Sequence, residues 1–154
     1  MTKEVLISVK ALHLEGDELL TAQVPESEAI ETITAGEYFY KNGKHFIIYD
    51  EVIQGADRIT KNTVKFSDEE VVLTRRVGIN VQMIFDLKRR TVSNYETPLG
   101  NIVIGVITDY ISVSESDNKI TLTIDYKMDS NFEMISKSSL TIEITPQSDG
   151  VKLL

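Results

Sequence analysis

Arg75 is the side chain of this sequence whose type and position carry the most chemical consequence. It lies in Val71-Val72-Leu73-Thr74-Arg75-Arg76-Val77, where a strand places Val71, Leu73, Arg75 and Val77 on one face. If that face is the core, a guanidinium points inward. A buried guanidinium must be paired and hydrogen-bonded, since an uncompensated charge costs several kcal/mol, on the order of a broken buried pair. Its planar fork suits a carboxylate or phosphate headgroup. The competing reading is a structural arginine at a strand end, bound to main-chain carbonyls or to an internal acid. Tyr95 and Thr97 lie two residues apart on a nearby strand with little apolar content. With Arg75 they could line one mouth of a cavity as ligand-binding residues, with Met83 and Phe85 supplying apolar wall. Tyr95 could equally pack flat with its hydroxyl on a main-chain group.

Other chemistries find little support. His13 and His45 are the only histidines, on separate strands, and neither has a second ligand at metal spacing. No nucleophile elbow surrounds any serine, and the glycines are dispersed at turns rather than gathered into a phosphate-binding loop. Asp68-Glu69-Glu70 reads as a solvated turn. The reading leans non-catalytic, with an enzyme using carboxylates and Arg75 as the last alternative, and no cofactor and no metal are expected. Tyr38, Phe39, Tyr40, Phe46 and Tyr49 cluster around Asn42-Gly43, where they could stack a ligand or simply pack across strands. Net charge is −8, with basic residues scattered, which disfavours nucleic acid and anionic membranes as partners. There is no cysteine. The first ten residues hold an apolar run of only three (Val5 to Ile7), and nothing approaches a membrane span. A cytoplasmic location is expected.

The elements that must position these residues are strands. Val, Ile and Thr dominate, apolar positions alternate with period two, and helical periodicity is hard to find. Val5, Ile7, Val9 and Ala11 share a face, after which Leu12 and Leu14 shift parity, predicting a bulge or bend at residues 11–13. Residues 16–29 read as a loop. A strand over 30–40 is expected to break at Ala35-Gly36. Asn42-Gly43 then marks a tight hairpin, since a type I′ turn needs positive φ at both central positions. Strands follow at 44–52, 59–66, 71–77, 81–87, 91–97 and 102–113, with a turn at Asp117-Asn118 before Ile120 to Met128. In the last strand, Ser136 and Ser138 share parity with Met134, Leu140, Ile142 and Ile144. They either widen a cavity or mark a bulge, and the bulge is the favoured reading. About ten strands joined by short loops, in one domain over 1–154, predict an all-β, mostly up-and-down antiparallel barrel that closes to protect its edges.

Three segments carry a family resemblance. Thr34-Ala35-Gly36-Glu37-Tyr38-Phe39-Tyr40-Lys41-Asn42-Gly43-Lys44-His45-Phe46-Ile47-Ile48-Tyr49 resembles the T-x-G-x-Y-Y-x-K-N-G-K-Y-Y-I-x-Y hairpin of the YwiB-like family of bacterial proteins of undefined function. Val72 to Gly78 is similar to its V-x-L-x-R-x-G strand end, and Tyr95-Glu96-Thr97-Pro98-Leu99-Gly100 to its Y-x-T-P-x-G corner. The match spans roughly residues 2 to 145. Val77 stands where that pattern carries a polar residue, and His45 where it carries Tyr. The resemblance implies a calycin-like, lipocalin-like barrel and brings no activity. The expectation that follows is a binding module for a small amphipathic or anionic molecule, anchored at Arg75. The alternative is an interaction domain without an open lumen, a homodimer included, using its acidic surface and the aromatic hairpin.

Overall fold

The structure, a computed structural model, describes residues 3–15, 30–52, 59–77, 79–97 and 100–147. At 13–15, 30, 52, 77, 79, 80, 94–97, 101 and 102 only the main chain is described. Ten strands run as β1 Lys3–Glu15, β2 Ile30–Lys41, β3 Lys44–Val52, β4 Ile59–Phe66, β5 Glu70–Val77, β6 Ile79–Asp86, β7 Thr91–Thr97, β8 Gly100–Ser116, β9 Lys119–Ser130 and β10 Glu133–Pro146. No helix occurs among the described residues, so none there is long and apolar enough to cross a membrane.

All pairings are antiparallel, in the order β6-β5-β4-β3-β2-β1-β10-β9-β8-β7. The first and last strands pair from Val5↔Pro146 to Glu15↔Ser136, which joins the two halves of the sheet. The sheet curls into a nearly closed barrel. Its two end strands meet through side chains: the Ser93 hydroxyl donates to the Gln82 carbonyl at 2.8 Å, and the Thr91 hydroxyl to the Ile84 carbonyl. A hydroxyl on β7 thus satisfies each of these two β6 carbonyls at the seam.

Alternation dictates what lies inside. On β4 the pattern Thr60, Asn62, Val64, Phe66 faces inward while Lys61 faces out. Ile7, Ile47, Phe66, Phe85, Leu122, Ile124 and Ile142 fill the interior. Removing each such side chain from water contributes about 1.5–3 kcal/mol.

Three local expectations are corrected or refined. The β1–β10 ladder runs without register shift through Ala11↔Leu140, Leu12↔Ser139 and His13↔Ser138, so there is no bulge at residues 11–13. The change of parity lies in side-chain character: Leu12 is apolar on a half-buried outer position while Ala11 still faces the interior cavity. Strand β2 does not break at Ala35-Gly36; it is β3 that leaves β2 there, since their pairing stops at Gly36↔Tyr49. A bulge on β8 between Thr108 and Tyr110 had no expectation attached to it. The bulge on β10, between Met134 and Ser136, keeps Ser136 and Ser138 inward and turns Met134 out. The loop expected at 16–29 lies outside the described residues.

Candidate functional site

At one end of the barrel the inward faces turn from apolar to polar. On β4, Val64 and Phe66 give way to Asn62 and Thr60, both fully buried. Register sets Asn62 between Tyr49 on β3 and Arg75 on β5, and Thr60 beside Glu51. The Asn62 amide ties the group together: its carbonyl accepts from Arg75 Nε at 3.1 Å, and its nitrogen donates to Glu51 at 3.4 Å. Arg75 also reaches Glu51 at 3.5 Å. The Thr60 hydroxyl is buried without a hydrogen-bond partner among the described residues. Burial, with the Glu51 carboxylate adding to it against the opposing Arg75 charge, pushes the Tyr49 hydroxyl up to about 12, so it stays protonated and uncharged.

Beneath this polar collar lies a cavity of about 340 Å³ lined by Val9, Leu73, Val81, Met83, Tyr126 and Leu140, with Arg75 and Glu51 at its lip. Phe85, which meets Tyr126 edge-on at 4.7 Å, lines a separate void of only about 60 Å³ that shares Val9, Leu73, Arg75 and Leu140 with the cavity. Alongside, where β3 has left β2, a groove of about 350 Å³ opens between Thr32, Thr34, Asp50, Glu51 and Arg75. The junction is made by Gly36, whose missing side chain leaves room for Ile7 and the Ile48 carbonyl; a Cβ there would lie 2.5 and 2.6 Å from them.

Arg75 has inward parity and lines the cavity, but its side chain is 48% exposed, at the mouth rather than in the core. The buried, obligately paired arginine expected from parity is therefore a half-exposed one. Met83 lines the cavity, whereas Phe85 lines only the smaller void of about 60 Å³. Tyr95 and Thr97 sit on β7, paired with Ile102 and Gly100, and their side chains lie outside the described residues. The aromatic hairpin divides between faces: Phe39 and Phe46 stack at 4.8 Å, while His45 and Tyr49 are buried.

Two clusters escaped sequence reasoning. His45 stacks on Phe66 at 4.8 Å, its Nδ1 lies 2.8 Å from the Tyr38 hydroxyl, and its Nε2 lies 4.0 Å from Glu115. Burial lowers its pKa, and the Glu115 charge only partly opposes this. Elsewhere Arg90 grips buried Asp129 with both fork positions, at 2.9 and 2.5 Å. Gly105 makes room for that guanidinium, which a Cβ would strike. The signal available was Gly105 itself, a glycine in the middle of a long strand, where close approach of another group is the usual cause. Among the described residues no group of three or more His, Asp or Glu side chains could hold a metal ion.

The family described as "Domain of unknown function (DUF1934)" matches residues 18–142. The crystal structure of the ywiB protein from Bacillus subtilis is similar, with a TM-score of 0.75 and 22% identity over 94% of this chain and 92% of that one. At that identity the likeness speaks for the fold. No curated protein sequence matches.

Proposed function

The chain belongs to the DUF1934 family, whose function is undefined, and within its β-barrel we propose a non-catalytic binding module for a small amphipathic ligand with an anionic head. The observation that carries this reading is Arg75 at the lip of an apolar cavity of about 340 Å³, a size within the usual range of small-molecule sites. Among the described residues Arg75 is held by one side-chain hydrogen bond and a 3.5 Å contact, which leaves donors of its five N–H groups for an incoming anion. Leu73, Met83, Tyr126 and Leu140 supply the wall for an apolar body. Glu51 beside Arg75 would reject a second negative charge, so a monoanion fits better than a dianion.

Decanoate, decanol and decylamine share one apolar chain and differ only in the head, so they separate anchor from wall. Thermal-shift titration is expected to show decanoate stabilising the wild type most, with that advantage lost in Arg75→Ala. A ligand at a hundredfold its Kd adds about 2.7 kcal/mol, readily seen as a raised Tm. Met83→Trp, which fills the cavity, should abolish the shift with all three probes. If no probe shifts the wild type, or decanoate works equally on Arg75→Ala, the reading fails.

A further inference from the structure

The groove beside Arg75 and the cavity beneath it are two parts of one space. They share Val9, Thr32, Glu51 and Arg75, so a molecule held by the Arg75 guanidinium has both within reach. Apolar side chains wall the cavity, whereas Thr32, Thr34, Asp50 and Glu51 bound the groove together with the edges of two strands. What those edges offer decides which ligand fits.

Pairing between β2 and β3 runs from Lys41↔Lys44 to Gly36↔Tyr49 and stops. Beyond that point β2 continues along β1 to Ile30, and β3 continues along β4 to Val52. Each therefore has one uncovered edge, at residues 30–35 and 50–52, facing the other across the groove. The phase of the ladders fixes which groups point there. The Gln147 N–H donates to the Glu4 carbonyl at 3.0 Å, so even-numbered residues of β1 bond to β10 and odd-numbered ones to β2. Ile7 and Val9 thus bond to Thr34 and Thr32, and the intervening Ile33 and Ala35 turn their N–H and C=O towards β3. From the other side, the two-residue turn makes Lys41 and Lys44 a hydrogen-bonded pair, and alternation along β3 brings the Asp50 main chain towards β2. The Thr34 hydroxyl closes the narrow end, donating to the Asp50 carbonyl at 3.3 Å with the Ala35 carbonyl 3.4 Å away. Farther along, the Ile33 N–H and C=O have no partner among the described residues. A donor and an acceptor side by side on an open strand edge are matched by another extended main chain.

Three features therefore meet: a cation that suits one carboxylate, an apolar cavity beside it, and a strand edge leading away from it. A peptide C-terminus carries the same three groups on adjacent atoms, namely a carboxylate, a last side chain and the preceding amides. We propose that this space takes a short extended peptide with a free C-terminal carboxylate and a large apolar last residue. The carboxylate lies on Arg75, the last side chain enters the cavity among Leu73, Met83 and Leu140, and the preceding amides pair with the Ile33 edge. Asp50, Glu51 and Arg75 are the charged side chains lining the two spaces among the described residues. One carboxylate is matched there and a second is not, so a neutral or basic residue precedes the last. This inference rests on the proposed site for an amphipathic monoanion and names its ligand class.

Isothermal titration of the full chain tests it with acetyl-Ala-Ala-Leu bearing a free carboxylate. The comparison compounds are its C-terminal amide, acetyl-leucine, and the same tripeptide methylated on its two inner amide nitrogens, with decanoate run alongside. The free acid is expected to bind about tenfold more tightly than each of the other three. Arg75→Ala should erase the difference between acid and amide. Ile33→Pro deletes a groove-facing N–H without removing a bond from the β1–β2 ladder, and should weaken the peptide about fivefold while decanoate still binds. The methylated peptide decides the same point with no change to the protein. If decanoate binds but the free acid gains nothing over acetyl-leucine, or the methylated peptide binds as well as its parent, this inference falls and the proposed binding module stands. If neither decanoate nor any peptide binds, both fall.

Discussion

Arg75 and Arg90 have the same fork and opposite surroundings. Arg75 is half-exposed and held at 3.1 and 3.5 Å, whereas Arg90 closes on both oxygens of a buried carboxylate. The exposed pair with Glu51 contributes ~0–1 kcal/mol, but Arg75→Ala also takes the donor from the buried Asn62 carbonyl, so a loss of about 1–3 kcal/mol is expected. Arg90→Ala strands a buried charge, Asp129, whose pKa is lowered chiefly by that arginine's hydrogen bond, and should lower the melting temperature further. Calorimetry of the two variants side by side checks this, and equal losses would contradict it. Parity made Arg75 legible in the sequence. Arg90 was not, because it precedes β7 in a turn where alternation says nothing, and its partner comes from β9, far away in sequence. His45 was legible as a strand residue but not as a buried base. It is held neutral, with a pKa below the ordinary 6.5, because burial outweighs the help Glu115 gives to the charged ring. The unfolded chain binds that proton near 6.5, so the stability from neutral His45 is whole above that pH and is lost as pH falls through the lower folded value. Asp86 and Asp129, with pKa values below the ordinary 3.8, stay ionised through this window. His45→Phe keeps the stack on Phe66 and should flatten the dependence between pH 7 and 5. The change is at most about 1.4 kcal/mol per pH unit, read from urea midpoints. An unchanged slope would place the proton uptake elsewhere.

At the scale of elements, the sequence announced strands but not how each leaves its neighbour. Alternation located the elements because one face must be dry, and Asn42-Gly43 marked its hairpin because both residues do adopt positive φ, 53° and 77°. The point where β3 leaves β2 had only Gly36 as a sign. Gly36 reads as a break when its neighbours are unknown, and its role comes from Ile7 and the Ile48 carbonyl pressing on the empty Cβ position. Gly36→Ala should therefore cost about 1–3 kcal/mol through overpacking. It should also disturb the groove beside Arg75, since the Thr34 hydroxyl bridges to the Asp50 carbonyl across that opening at 3.3 Å. Denaturant unfolding gives the first effect. A neutral Gly36→Ala would mean that the backbone gives way there. The seam obeys the same logic. Ser93→Ala leaves the Gln82 carbonyl without that donor, which should cost about 1 kcal/mol and speed amide exchange in β6 and β7 before any other strands. Uniform protection loss would argue that the seam is no weaker than the ladders.

For the whole molecule, strand order has a consequence that composition and patterning could not disclose. The two ends of the sheet, β6 and β7, are neighbours in sequence, while the first and last strands form the central junction. A cut in the turn after Leu87 therefore falls where no backbone ladder is interrupted. It divides the chain into β1–β6 and β7–β10, each continuous within its own half of the sheet. The Arg90–Asp129 pair stays wholly within the second piece, and the Arg75–Asn62–Glu51 collar wholly within the first. Each fragment alone would present β1 or β10 as a long unpaired edge, with Val5, Ile7, Ile142 and Ile144 uncovered, the condition for aggregation. Supplied together, they should reassemble through the Val5–Glu15 and Ser136–Pro146 ladder. Co-expression of residues 1–87 and 88–154, with a tag on one piece, is expected to recover both in a soluble complex with the circular dichroism of the intact chain. Lys10→Pro removes an N–H from the centre of that ladder, where Lys10 and Thr141 form a hydrogen-bonded pair, and should abolish recovery, although β2 to β6 retain their own pairings. A cut after Ser130 is the contrasting case, since it takes away the strand that both β1 and β9 need and leaves β7–β9 joined to nothing else by a ladder. If the 1–130 and 131–154 pieces reassembled as well as the first pair, the position of the cut relative to the seam would not matter. If only the cut after Leu87 is tolerated, the β6–β7 contact is the weakest closure of the barrel and the β1–β10 pairing is what commits the two halves to one fold.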